Sequence, residues 1–555
     1  MHELTERDPN ERVMRLRRTA LPLFFALGLF ALNSLGVLSG WFATPAGHVH
    51  LLQMNTSDNA IYLSWLRSSA SRFLHPDFQA PWLTESAVFQ PLLVAIARLS
   101  PFAGLSVEQG FALTHLGLCI AAAYALFAAL RHFMPTSTER TAALGVMLLS
   151  VPIPSLLLLP SLVLPLDRLG IPSLPGLGFF VWRTSDGFLH GISGSILVTY
   201  GTAATVASFA FLAAFMQTKR RPYLAGACAT TLACGLVHPY EPFLIVPAGS
   251  LALLLWKQAD WRRAIPDVAA LCIAGGLGIA PTALLALTTP WVRDAAAITR
   301  WSPPNPAVLL AALGLPTLVA TVLLVTRRRM ASPSDLLLQC WVGCTLVGLY
   351  VPFIPWTQHL LDGFLVGVAM LLVRQLGQAP EWKRIWVEHR GIATATIAAL
   401  AVLSVGASSA YYWQSWKDGR APVPERLFSS VVPQDDVAAR DWLAEHAEYS
   451  DLVLAPVTRA TWFSSVPMHS VAGNRLFSIT YDEQARLSDD FFEGRMTRES
   501  ADSFLSRYGV RWVVLPAGGP LGLSPSRAKV RARLGTWTVL EIEGNAMKPY
   551  PGISR

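Results

Sequence analysis

The chain has 555 residues, of which 52% are hydrophobic and only 14% charged, with 18 tryptophans and a formal net charge of +8. A soluble protein of this length carries roughly a quarter of its residues as Asp, Glu, Lys and Arg. The composition therefore excludes a soluble enzyme and describes a polytopic membrane protein. The six cysteines (Cys119, Cys228, Cys234, Cys272, Cys340, Cys344) all lie in apolar segments. They show neither a metal spacing nor a disulfide framework and read as small buried hydrophobes.

In chain order, residues 1–18 are polar and basic, with Arg12, Arg15, Arg17 and Arg18 against the first span. The apolar run 20–43 is long enough to cross the hydrocarbon core, which needs about 20 residues. No small-residue cleavage pattern follows it, so it reads as an anchor. Further spans are expected near 107–132, 140–162, 195–216, 223–237, 239–256, 264–288, 306–326, 334–352, 358–376 and 391–413. The total is about eleven.

Lysine and arginine test this count. With the N-terminus in the cytoplasm, alternate loops carry Arg131 and Arg140; Lys219, Arg220 and Arg221; Lys257, Arg262 and Arg263; Arg327, Arg328 and Arg329; and Arg374, Lys383, Arg384 and Arg390. The other loops hold scattered cations such as Arg67, Arg168, Arg183 and Arg300. That alternation is the positive-inside pattern, and it accounts for the net charge with no nucleic-acid partner.

The first external loop, 43–106, follows the first span and holds Ser57, Asp58, Asn59, Ala60, Ile61, Tyr62 and Leu63. Tyr62, Trp65, Leu66, Ser69 and Phe73 recur at helical spacing, which predicts an amphipathic helix lying flat at the bilayer interface. Asp58 stands at its head, where exposed backbone N–H groups favour a carboxylate. A helix cap and a chemical role are both open to it. Tyr62 and Glu85 of the same loop are candidate substrate-binding residues.

Three further stretches fall on the external side. Arg183, Asp186 and His190 open a span after a Pro- and Gly-rich loop, where an Arg183–Asp186 pair could equally be structural. His238-Pro239-Tyr240-Glu241-Pro242 interrupts an apolar run; two prolines break helix there, and ionisable groups at that depth are costly unless they face water or each other. A tight Pro-capped turn is the bland alternative. Gln358, His359 and Asp362 share one helix face at i, i+1 and i+4, where a polar cap is again the alternative. No Gly-rich phosphate cradle, nucleophile elbow or zinc motif occurs.

From about residue 415 the composition becomes that of a soluble segment. Gln434–His446 and residues 499–508 read as helices, and residues 451–456, 511–516 and 536–542 as strands, which together predict a small external α/β domain. The boundaries are therefore a cytoplasmic 1–18, a transmembrane 19–414 and an extracytoplasmic 415–555.

This order of parts resembles the membrane glycosyltransferases of the GT-C fold. The stretches that carry the likeness are Ser57 to Leu63, His238 to Glu241 and Gln358 to Gly363. The resemblance implies a polytopic α-helical bundle with interfacial helices in its first external loop. It also implies transfer of a hexosyl or pentosyl group from a polyprenyl-phosphate carrier to a glycan, lipid or protein on the outer face of the cell membrane. An acidic residue of the first external loop serves as base in that fold, a role that maps onto Asp58; many members have a second acidic residue beside it, where this chain has Ser57 and Asn59. Arg183, His190, His238 and His359 are candidates to meet the departing phosphate. The resemblance calls for no cofactor, and a divalent metal is compatible but not indicated. The competing class is a transporter or a non-catalytic glycan- or lipid-binding membrane protein, although no internal repeat of the transporter kind is found.

A phosphatase fused after Trp416 is expected to be active outside the cytoplasm, and one fused after Arg329 to be inactive. The reverse pattern would put Asp58 on the wrong side for this chemistry.

Overall fold

The computed structural model describes residues 48–50, 56–149, 195–256, 258–298, 303, 305–326, 332–352, 354, 356–378, 384, 388, 431–473, 480–519 and 527–551. The expected spans 20–43 and 391–413, the end of 140–162, and Arg183, Asp186 and His190 lie outside them.

After β1 (His48–His50), the first loop forms helix α1 (Thr56–Ser68), a two-stranded ribbon of β2 (Leu74–His75) and β3 (Val88–Phe89), and helix α2 (Pro91–Leu99). The bundle follows: α3 (Val107–Phe133), α4 (Ser137–Leu149), α5 (Ile196–Thr218), α6 (Arg221–Val237), α7 (Pro242–Trp256) and α8 (Ile265–Thr288). Next come α9 (Pro290–Ile298), α10 (Pro306–Leu313), α11 (Leu315–Thr326), α12 (Pro333–Gly348) and α13 (Phe364–Gly377). Four helical stretches among the described residues are long and apolar enough to cross a membrane: Val107–Phe133, Ile196–Thr218, Trp261–Thr288 and Thr357–Gly377. The expected span 306–326 is not one helix. Gly314 sits between α10 and α11 at φ +85°, a left-handed conformation that suits a residue without Cβ and ends the helix before it.

Small residues let the bundle close tightly. Gly235 of α6 and Gly278 of α8 meet backbone to backbone, so that a Cβ on Gly235 would lie 2.8 Å from the Gly278 carbonyl carbon. Phe209 of α5 stacks on Trp341 of α12 at 4.1 Å. At one end of the bundle Arg374 grips Asp335 through two bonds of 2.7 and 3.1 Å, and Gln217 bridges His132 and Ser334. The basic residues Arg131, Lys219 and Arg374 gather at this end; α1 and α2 close the opposite one.

The C-terminal part begins with β4 (Val431–Pro433), which pairs antiparallel with β1. Helix α14 (Gln434–His446), β5 (Leu452–Leu454), α15 (Val457–Phe463), β6 (His469–Ser470), α16 (Tyr481–Phe492), α17 (Arg498–Tyr508), β7 (Trp512–Pro516), β8 (Ala528–Leu534) and β9 (Trp537–Ile542) follow. Five strands form a mixed sheet in the order β6-β5-β7-β9-β8, parallel from β6 to β7 and antiparallel beyond. Strands β5 and β7 are almost wholly buried, as their Pro-bounded apolar runs require.

The first loop departs from its expectation. Helix α1 stops at Ser68, leaving Phe73 beyond it and half exposed. Its polar side is buried as well: Ser64, Ser68 and Ser69 are each under 5% exposed. They can be buried because each hydroxyl bonds back to a carbonyl of its own helix, Ile61 or Trp65, at 2.7–3.0 Å. Arg67 joins Glu108 of α3 to the Ser465 carbonyl, which wedges α1 between the bundle and the C-terminal part.

The loop beyond α1 is bonded into the C-terminal part. Leu83 exchanges backbone bonds with Lys548 and Tyr550, the Ser470 amide donates to the Phe78 carbonyl, and Ser464 donates to Gln79. His469 Nδ1 is 3.2 Å from the Ala80 carbonyl, and the Arg72 guanidinium lies 3.5 Å from the Tyr449 ring centre. Burial lowers the pKa of His469 from 6.5 to about 4. Burial, with Arg72 nearby, does the same to His75, whose ring sits between the Ser68 and Ser69 hydroxyls. Burial raises Asp77 from 3.8 to about 7.

These shifts fix a pH dependence. The two histidines bind protons better when unfolded, so their contribution to stability is lost as pH falls from about 6.5 to 4. Asp77 binds its proton better when folded, so its contribution runs the other way, falling as pH rises from about 4 to 7. Two outweigh one, and the melting temperature in detergent is expected to drop between pH 6.5 and 4. His469→Asn should flatten that slope and Asp77→Asn should steepen it.

Candidate functional site

At the end of the bundle closed by α1, two prolines turn the chain between α6 and α7. Helix α6 ends at Val237, and the His238 amide makes its last bond to Cys234 at 2.7 Å. Pro239 cannot continue the ladder, and Pro242 opens α7, where a missing N–H costs nothing. His238 and Glu241 are thereby held on one tight turn, with His238 Nδ1 2.5 Å from Glu241 Oε1. His238 is 4% exposed and Glu241 not at all, so the carboxylate has no water to lean on and depends on this partner. Cys234 Sγ lies 3.6 Å from Glu241 Oε2 and donates to it. Sequence reasoning missed Cys234, because nothing in its apolar surroundings marks a thiol seven residues before a carboxylate as its donor.

Gly201 of α5 makes room for the pair. A Cβ there would collide with Glu241 Oε1 and lie 2.9 Å from His238 Nδ1. This glycine was not singled out in the sequence, since its signal is an approach between segments forty residues apart.

The second turn precedes α13. Gln358, His359 and Asp362 do not lie on an α-helical face. Residues Thr357–Leu361 form a 3-10 helix, with Asp362 as the residue that ends it. In that tighter winding positions i and i+3 eclipse, which brings His359 Nδ1 to 3.3 Å from Asp362 Oδ2. Trp356, which opens the turn, takes a left-handed φ of +56°, and Gly363, which closes it, +78°. A left-handed non-glycine residue costs of order 1–3 kcal/mol, and such strain concentrates at functional sites. Gln358 is buried, and its Oε1 has no hydrogen-bond partner.

The two turns meet. The His238 and His359 rings cross edge to face at 4.7 Å, and Tyr240 stacks on His359 at 4.7 Å with 18° between planes. His238, His359 and Asp362 can each offer one ligand atom, all within 4.8 Å of one another, the set among the described residues that could hold a metal ion. His238, Tyr240, Glu241, His359 and Asp362 thus come together from 120 residues apart in sequence.

The other candidates stand apart or aside. Asp58 lies in the first turn of α1. Ile61, one turn further on, belongs to the same buried apolar cluster as Ile196, Leu197 and Val237, the residue before His238. Tyr62 packs against Trp65 with ring centres 5.9 Å apart. Glu85 is exposed, and its backbone carbonyl accepts from the Trp291 indole at 2.9 Å. Arg183, Asp186 and His190 lie outside the described residues.

No protein-family model matches the chain. No curated protein matches it in sequence. Among solved structures it is similar to ArnT from Cupriavidus metallidurans, which was solved bound to undecaprenyl phosphate. The TM-score is 0.52 at 11% identity, over 96% of this chain and 100% of that one. It is also similar to the Archaeoglobus fulgidus oligosaccharyltransferase, solved in complex with Zn and sulfate. There the TM-score is 0.48 at 13% identity, over 88% of this chain and 67% of that one. The likeness to ArnT, spanning nearly both chains, gives this protein the GT-C fold.

The glycine gives a test with a definite sign. Ala normally stabilises a helix interior over Gly by about 1 kcal/mol. Gly201→Ala should instead destabilise by about 1–3 kcal/mol, because the methyl displaces Glu241. Gly276→Ala of α8, where a Cβ meets nothing within 4 Å, should be neutral or stabilising. Thermal unfolding of both variants in detergent decides it.

Proposed function

We propose that this GT-C protein is a glycosyltransferase that moves a sugar from a polyprenyl-phosphate carrier to a glycan, lipid or protein acceptor outside the cytoplasm. The observation that carries this reading is the meeting of His238, Glu241, His359 and Asp362 at the end of the bundle that α1 closes, beside the helix whose first turn holds Asp58. ArnT, which shares the fold, was solved with undecaprenyl phosphate, and the carrier proposed here is of that chemical class. In this reading about eleven spans form the transmembrane part, 19–414, with residues 1–18 in the cytoplasm. The first loop, 43–106, and an α/β domain, 415–555, face outward.

The reaction asks for two opposed charges. The acceptor oxygen attacks the anomeric carbon as the bond from that carbon to the phosphate oxygen breaks. The acceptor proton passes to the Asp58 carboxylate, and polyprenyl phosphate departs as an anion. That anion needs cationic or hydrogen-bond-donating groups where its charge develops. His238 and His359 supply them, with Arg183 and His190 as further candidates. Glu241 holds His238 in orientation, and Tyr240 holds the His359 ring. Tyr62, Glu85, Asp186, Gln358 and Asp362 are assigned to binding donor and acceptor. The serine and asparagine beside Asp58 make it the single acidic residue of its motif, so the whole base function rests on one carboxylate.

Asp58→Asn keeps the size of the side chain and removes its charge. Purified and supplied with radiolabelled polyprenyl-phosphate sugars, the variant is expected to melt like the wild type and to transfer at least about 100-fold more slowly. Undiminished transfer by the variant would remove Asp58 from the chemistry.

A further inference from the structure

We infer that His238, His359 and Asp362 bind one divalent transition-metal ion, of which zinc is the best fit, with Glu241 orienting the site from behind. Two imidazoles and one carboxylate are the donor set of open zinc sites, in which three protein groups hold the metal and the fourth position is left for a ligand. Their ligand atoms already lie within 4.8 Å of one another. Zinc at its usual 2.0–2.1 Å from nitrogen or oxygen needs ligand atoms about 3.4 Å apart. Binding would draw the His359 and Asp362 side chains closer to His238 by that difference.

The surroundings are those of a metal ligand. A coordinating histidine characteristically gives its second ring N–H to a carboxylate, which fixes the tautomer and raises the basicity of the nitrogen facing the metal. Glu241 Oε1, 2.5 Å from His238 Nδ1 and fully buried, is in that position, so Nε2 is the nitrogen left for the ion. Tyr240 stacked on His359 fixes the second ring. Gln358, with a buried and unpartnered Oε1 on the same turn, adds a neutral acceptor beside the ion.

The ion, in place of direct donation by the two histidines, would supply the positive charge that the departing phosphate needs, and that role rests on the transferase reading. The binding itself does not, and it can be measured without any sugar transfer. The full-length protein in detergent is stripped with a chelator and titrated with Zn2+ and, separately, Co2+. Metal content is read by mass spectrometry, and coordination by the visible d–d absorption of cobalt. About one equivalent of each metal is expected, with the intense absorption of four-coordinate cobalt. Glu241→Gln keeps shape and hydrogen bonding, and is expected to weaken binding by about 10–100-fold. His359→Ala should abolish it, while His446→Ala, on the exposed face of α14, should leave it intact. Wild-type protein that takes up no equivalent, or uptake indifferent to both Glu241→Gln and His359→Ala in proteins that melt normally, would overturn the site. Transfer that persists in metal-free wild type would leave the transferase reading standing and remove the ion from it.

Discussion

A carboxylate with no access to water, held against the backbone of a neighbouring helix, is the constraint on which this site depends. Glu241 sits where an unpaired charge would cost several kcal/mol, so His238 has to be within reach of it. That requirement fixes much of the local sequence. Pro239 and Pro242 stop one helix and start the next within the few residues that keep the two side chains on a single turn. Gly201 removes the one Cβ that would occupy the same space. Once His238 is pinned, its ring is the wall against which His359 and Tyr240 pack, and the second turn inherits its position from the first.

The sequence made some of this legible and hid the rest for identifiable reasons. The long apolar helices and the buried strands Leu452–Leu454 and Trp512–Pro516 follow from local composition, and the structure contains them. The His238-to-Glu241 turn could be singled out because prolines and charge in an apolar run are anomalies that a reader of one sequence can see. The burial of the α1 serines could not be foreseen, since the carbonyl bonds that let Ser64 and Ser68 be buried leave no trace in hydropathy. The face expected for Gln358, His359 and Asp362 used the α-helical repeat, where a 3-10 turn brings i and i+3 together instead. Gly201 and Cys234 could not be found at all, since each matters only through a partner brought near by folding.

The first loop belongs to neither half of the molecule alone. Its helix α1 packs on α3 and, through Arg67, reaches the Ser465 carbonyl; the segment after it contributes Phe78, Gln79 and Leu83 to the C-terminal part. The Trp291 indole on the Glu85 carbonyl and the Tyr550 hydroxyl on Asp294 close the circuit from the other side. Helix α1, which carries Asp58 in its first turn, is therefore braced from several directions.

That bracing has a consequence for biosynthesis. Leu83 takes its partners from Lys548 and Tyr550, and β1 takes its partner from β4, so the loop cannot reach its final bonds until almost the whole chain exists. At the usual 5–20 residues per second, a ribosome needs roughly half a minute to a minute and a half to travel from Leu83 to Tyr550. Over that interval the nascent protein acquires the brace in stages, first from β4 and Ser464 to Ser470 and last from Lys548 and Tyr550. A chain truncated before Lys548 would lack the two backbone bonds to Leu83 while keeping the contacts of the loop with Ser464, Ser465 and Ser470.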